Sequence, residues 1–335
     1  MSGRNNGQID ALLEETSRSF FLTLKVLPSR VRRQIGLLYL LARIADTVAD
    51  SDEGDAVQRL QVLEEYNQYV QGNSKTLPDF EPLAMIQSNP SEKKLLLNVE
   101  LAVQALDQFA STDKKRMREC LEIIISGQSL DLQRFGRTKE VVPLSNRDEL
   151  DDYAYRVAGS VGEFWTHMSL NHLFKMDDVT TKQFFENGVR FGKALQLINI
   201  LRDIPEDLAL GRCYIPIDCL NDIGLEPTDL MAQENMEKFR PLFHELIDIA
   251  SAHLDAAVEY IMMLPYRQFR LRAACMLPVL IGQRTLTLLR TNNVLNSNER
   301  IKVLRPEIKR LRKKTLFALP SKRRCHKLLI ANKDS

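Results

Sequence analysis

Asp46 and Asp50 close the stretch LLARIADTVAD, and Asp203 and Asp207 stand in QLINILRDIPED. Each pair is spaced i, i+4, so on a helix both carboxylates leave from one face. Each pair also has an arginine close by, Arg43 three residues before Asp46 and Arg202 beside Asp203. Three arrangements compete. The carboxylates can face solvent and pair only with those arginines. They can hold a carboxylate-bridged iron centre, but such centres in bundles add Glu-x-x-His pairs, and none of the five histidines is placed that way. They can hold Mg²⁺, which keeps several waters and is bound by one or two carboxylates plus phosphate oxygens. Paired motifs on apolar helices, each with arginine, favour magnesium. Oxygen-only ligands with arginine in turn suit a diphosphate ester. Metal and arginine neutralise a departing diphosphate, and the allylic carbocation left behind needs a dry apolar cavity.

The elements that must position these groups read as helices. In RVRRQIGLLYLLARIADTVAD, Ile35, Leu38, Ala42 and Ala45 form an apolar stripe, while Tyr39, Arg43, Asp46 and Asp50 form a neighbouring one. Gln196, Asn199, Asp203 and Asp207 share a face in the same way. Helical patterns run over 30–50, 55–72, 92–110, 113–135, 148–173, 179–209, 234–263 and 267–292. Turn residues cluster in QGNSKTLPDFEP, RFGRTKEVVPLSN, LGRCYIPIDCLNDIGLEPTD and TNNVLNSN. With 14 Gly and 13 Pro in 335 residues, breakers are too sparse for a many-stranded sandwich or barrel. The expected fold class is all-α, with one catalytic domain over 1–299 and a basic tail over 300–335.

Composition narrows the setting. Apolar residues make up 44% and charged residues 27%, the balance of a globular chain. The five cysteines are scattered and never in a CxxC pattern, which predicts reduced thiols in a cytoplasmic protein. The N-terminus lacks the apolar core of a signal peptide, and no apolar run is long enough to span a bilayer. The net charge of +2 conceals an asymmetry: residues 300–335 carry +11 and the rest −9. Such a tail is either a solvated end or a contact for an anionic surface. With one aromatic residue in its basic run and no base-reading module, it predicts no nucleic-acid partner.

Three segments, TSRSFFLTLKVLP with YLLARIADTVAD, then YAYRVAGSVGEFW, then QLINILRDIPEDLALGRCYIP, resemble in order and spacing the squalene and phytoene synthases, which join two isoprenyl diphosphates head to head. The resemblance implies a single isoprenoid-synthase-type helical bundle around a central cavity. It implies that Asp46, Asp50, Asp203 and Asp207 bind Mg²⁺ and diphosphate from opposite walls, that Arg18, Arg43 and Arg202 bind diphosphate, and that Tyr153 handles a proton. A phenol is a poor base unless nearby cations stabilise its anion. Tyr39, Gln196 and Asn199 would line the same polar end. Ala158, Gly159 and Gly162 leave little side chain on one helix face, which suits either another helix or, beside Tyr153, a prenyl chain. Phe20, Phe21, Phe164 and Trp165 would wall that tunnel or belong to plain core.

Thr47, second in DTVAD, resembles the squalene synthases, where phytoene and dehydrosqualene enzymes typically carry Asp. It implies that two molecules of farnesyl diphosphate give presqualene diphosphate and that NADPH then reduces it to squalene; endings at dehydrosqualene, hydroxysqualene or phytoene need no hydride. A helical subunit without catalysis would have no reason to keep these carboxylates. No Gly-rich dinucleotide fingerprint follows a strand, so Lys302 and Arg305 are the expected contacts for the NADPH phosphates. The first motif departs from its relatives in having Ser51 where a further acid often stands, and Pro205 interrupts the second, so the helix must kink or restart before Asp207. A monomer in peripheral contact with an anionic membrane is expected.

Overall fold

The computed structural model describes residues 2–50, 55–136 and 140–333, without the side chains of residues 2–6, 18, 19 and 22. The chain is all-α and divides into two compact units, residues 1–137 with 167–175, and residues 138–166 with 176–335. Helices of the first unit are α1 (Ser2–Thr16), α2 (Arg18–Val26), α3 (Ser29–Ala49), α4 (Ala56–Gln71), α5 (Glu81–Ile86), α6 (Pro90–Leu96), α7 (Val99–Gln104) and α8 (Ser111–Phe135). The second unit begins with α9 (Arg147–Ala154), one turn of π-helix (Tyr155–Gly159) and α10 (Ser160–His172), whose last residues belong to the first unit. It continues with α11 (Asp178–Arg202), α12 (Ile204–Ala209), α13 (Ile217–Asp222), α14 (Met236–Met263), α15 (Phe269–Thr291), α16 (Arg305–Ala318) and α17 (Lys322–Lys333).

In the first unit α3 packs on α8 and α4. Its apolar stripe supplies Ile35, Leu38 and Ala45 to the core, and the buried Tyr66 hydroxyl of α4 donates to the Leu41 carbonyl at 3.0 Å. In the second unit α11 lies along α14, with Phe184 stacked on Tyr260 at 4.0 Å between ring centroids. Residues 305–333, read from the sequence as a basic tail, fold as two helices against α15, and bury Leu311, Cys325 and Leu329. Among the described residues the β-structure is one two-stranded parallel pair, β1 (Val142–Pro143) and β2 (Arg212–Cys213). The pattern over 92–110 resolves into α6, α7 and a short 3₁₀ turn, because Asn98 interrupts it. All five cysteines are buried, and none of them forms a disulfide. No described helix is long and apolar enough to cross a membrane.

Candidate active site

The first carboxylate pair sits at the C-terminal end of α3. Asp50 is the cap itself, its N–H bonded to the Asp46 carbonyl at 2.9 Å. A helix C-terminus carries partial negative charge, so two carboxylates there are disfavoured until a cation arrives. Arg43 supplies part of it: Nη1 donates to Asp46 Oδ2 and Nη2 to Glu92 Oε1, both at 2.5 Å. Gln128 of α8 donates from Nε2 to Asp46 Oδ1 at 3.3 Å. Desolvation and the like charge of Asp50 still push the Asp46 carboxyl up to about 6, against the pull of Arg43 and Gln128. Tyr39 stacks on Phe20 at 4.5 Å, and burial raises its phenol although Arg43 and a hydrogen bond with Ser17 oppose the shift. Phe20 thus stands at this polar end. The side chain of Arg18 and residues Ser51 to Glu53 lie outside the described residues.

Magnesium fits this donor set. Every candidate ligand is a hard oxygen, and Gln128 Oε1 is a buried acceptor with no hydrogen-bond partner among the described residues. Among those residues no cluster of three or more His, Cys, Asp or Glu is close enough to cage an ion. An ion held here would keep positions for water and substrate oxygens, the habit of Mg²⁺.

The second pair also sits at a helix end. α11 stops at Arg202, Asp203 is the junction, and α12 restarts at Ile204 with Pro205 in its first turn, where a missing N–H costs nothing. The Asp207 N–H nevertheless bonds the Asp203 carbonyl at 2.9 Å, so the i, i+4 relation survives the break. Arg202 grips Asp203 through Nε at 2.8 Å and Nη2 at 2.5 Å, and Arg300 adds Nη2 at 2.8 Å. Arg300 also approaches Glu206 at 3.1 Å. Desolvation would raise the Asp203 carboxyl, but the two guanidiniums outweigh it and hold it below the usual range. On the same face of α11, Gln196 is half-buried and Asn199 exposed.

Tyr153 lies in the last turn of α9, 8% exposed, and its ring stacks on Tyr214 with centroids 4.8 Å apart and hydroxyls 3.3 Å apart. The β1–β2 pair sets Tyr214 in place, since the Leu144 N–H bonds the Cys213 carbonyl at 3.0 Å. Tyr214 also lines a small cavity with Asp207 and Arg212, linking the tyrosine pair to the second motif.

The small-residue face is occupied by a helix. A Cβ on Gly162 would stand 1.9 Å from the Gly188 carbonyl oxygen, and one on Gly192 would stand 2.0 Å from that of Ala158. Of the two neighbours expected for this face, a helix or a prenyl chain, α11 backbone lies against Gly162 and the Ala158 carbonyl. Gly159 is buried beside Tyr155, Val189 and Lys193. Phe164 is core at 3% exposure. Lys302 and Arg305 are both exposed, ahead of and at the start of α16.

Sequence reasoning missed Glu92, Gln128, Tyr214 and Arg300. Only Tyr214 carried a signal, lying inside the GRCYIP end of the second motif.

A family model described as squalene/phytoene synthase matches residues 13–307. Curated relatives include bifunctional lycopene cyclase/phytoene synthases of Gibberella fujikuroi, 27% identical over 76% of this chain and 43% of that protein, and of Podospora anserina, 29% identical over 73% and 41%. The chain thus spans less than half the length of these relatives. Among solved structures, TcSQS bound to a ligand superposes with TM-score 0.79 at 19% identity, covering 98% of this chain and 90% of that one. A dehydrosqualene synthase in complex with a ligand gives 0.66 at 20% identity over 95% and 97%. Squalene synthase HpnC from Alicyclobacillus acidocaldarius gives 0.60 at 20% identity over 86% and 93%. These likenesses define the fold as the squalene-synthase type.

Proposed function

The chain belongs to the squalene/phytoene synthase family, and on that premise we propose that it joins two prenyl diphosphates head to head with Mg²⁺. The observation that carries the reading is the pair of aspartate motifs, each at a helix C-terminus with its own arginine. Bound magnesium would neutralise the diphosphate oxygens and help that group depart. Asp46 and Asp50 in the first unit, with the Gln128 acceptor, would hold one such ion or its waters, and Asp203 and Asp207 would hold another. Arg43 and Arg202 exchange part of their carboxylate contact for diphosphate. Tyr153, its hydroxyl beside that of Tyr214, holds and moves the proton released as the new carbon–carbon bond forms.

The course after condensation has two readings. The curated relatives are named for phytoene synthesis, which supports an ending by proton loss without NADPH. The residue type of Thr47 supports the reductive ending, from farnesyl diphosphate through presqualene diphosphate to squalene with NADPH. Thr47 is 4% exposed and donates to the Arg43 carbonyl at 2.8 Å, so its influence on product would be exerted through the placement of Arg43. A hydrocarbon product also suits release into lipid, with the basic C-terminal segment in peripheral contact with an anionic membrane.

The test is product analysis by mass spectrometry after incubation with farnesyl or geranylgeranyl diphosphate and Mg²⁺, with and without NADPH. Phytoene or dehydrosqualene formed regardless of NADPH supports proton loss, and squalene formed only with NADPH supports reduction. No condensation product from either substrate overturns the proposal.

A further inference from the structure

One surface of the second unit takes no part in the chemistry above. It lies where the loop between α14 and α15 meets the turn between α16 and α17, joined by the Tyr266 hydroxyl donating to the Pro320 carbonyl at 3.0 Å. Four large apolar side chains on the segments that this bond joins face solvent: Phe317 at 79% exposure, Tyr266 at 61%, Leu316 at 59% and Phe269 at 54%. Helical register accounts for two of them. α16 buries Leu311, Thr315 and Ala318, and that choice of face turns Leu316 and Phe317 outward. Single exposed apolar residues are ordinary, but a group of them on neighbouring elements marks an interaction site.

Charge says what the partner is. Residues 260–298 and 308–333 contain no Asp or Glu, and the second stretch holds ten Lys and Arg. Exposed Arg267 and Arg270 flank Phe269, exposed Arg312, Lys313 and Lys314 precede Leu316, and exposed Arg323 and Arg324 follow Pro320. We propose that this tip is the docking surface for an anionic lipid bilayer. Phe317, Leu316 and Phe269 enter the acyl boundary, Tyr266 sits at headgroup level, and the surrounding cations meet lipid phosphates. A nucleic-acid backbone would match the cations but leave Leu316 and Phe317 in water; a bilayer satisfies both. The inference rests on the peripheral membrane contact proposed above and assigns it to named residues.

The test uses the full chain in vesicle co-sedimentation, with phosphatidylcholine alone or mixed with phosphatidylglycerol. Binding is expected only to the mixed vesicles, weakening as salt rises. The pair Leu316→Ser and Phe317→Ser should lower it about tenfold or more. The pair Lys313→Glu and Lys314→Glu should do the same, and both variants should keep the wild-type melting temperature and turn over detergent-dispersed substrate at the wild-type rate. If the unaltered chain binds neither vesicle, the membrane contact itself is refuted. If it binds and both variants bind equally well, another surface is responsible and this assignment falls. Tighter binding to a short DNA duplex than to mixed vesicles would also overturn it.

Discussion

Gly162→Ala probes the packing that holds Tyr153 and Asp203 in one frame. The added methyl would lie 1.9 Å from the Gly188 carbonyl oxygen. An ordinary carbon–oxygen contact is about 3.3 Å, so the two backbones must part by roughly 1.4 Å. Neither side has a flexible side chain to yield, which places the cost at the upper end of overpacking, about 3 kcal/mol. For a chain of this length that is a fall of about 4 °C in melting temperature. Turnover should fall beyond what stability explains, because Tyr153 lies just ahead of the π-turn on one side and Asp203 caps the end of α11 on the other. Gly7→Ala is the control. It lies within α1 with nothing within 4 Å of the added methyl, and should stabilise by about 0.5–1 kcal/mol. Thermal melts and steady-state rates decide the matter. A Gly162→Ala variant melting within a degree of wild type would refute the close approach of these backbones.

Arg300→Ala removes one of the two guanidiniums on Asp203, so that carboxyl must rise in pKa, and the acid limb of the pH–rate profile should move to higher pH; an unchanged limb would mean Arg300 is only a surface contact. In EDTA, Asp46 holds its proton up to about 6 in the folded chain, against about 3.9 unfolded, so it makes stability fall as pH rises from about 4 past 6. Asp46→Asn should flatten that slope in melts across this range, while losing both Mg²⁺-dependent stabilisation and turnover. Tyr214→Phe keeps the stack on Tyr153 but deletes its hydroxyl partner, and should lower kcat about tenfold with KM little changed; equal kcat would exclude that hydroxyl from proton handling.

The sequence by itself determined the fold class and both carboxylate pairs, because each rests on helical period, a property of residues three or four apart. Tyr39, Arg43, Asp46 and Asp50 had to share a face once α3 formed, and Arg43 and Arg202 were local partners. Pro205 likewise announced a break, and the restart of α12 at Ile204 chose between kink and new turn. Tertiary structure alone decided the rest. Glu92 reaches Arg43 across 49 residues, Gln128 reaches Asp46 across 82, Tyr214 meets Tyr153 across 61, and Arg300 meets Asp203 across 97. No period connects residues so far apart, so Glu92, Gln128 and Arg300 looked no different from ordinary surface or core positions. The Gly162 face shows the same limit from the other side. Its lack of side chains was legible, but whether a helix or a prenyl chain filled the space depended on where α11 ran.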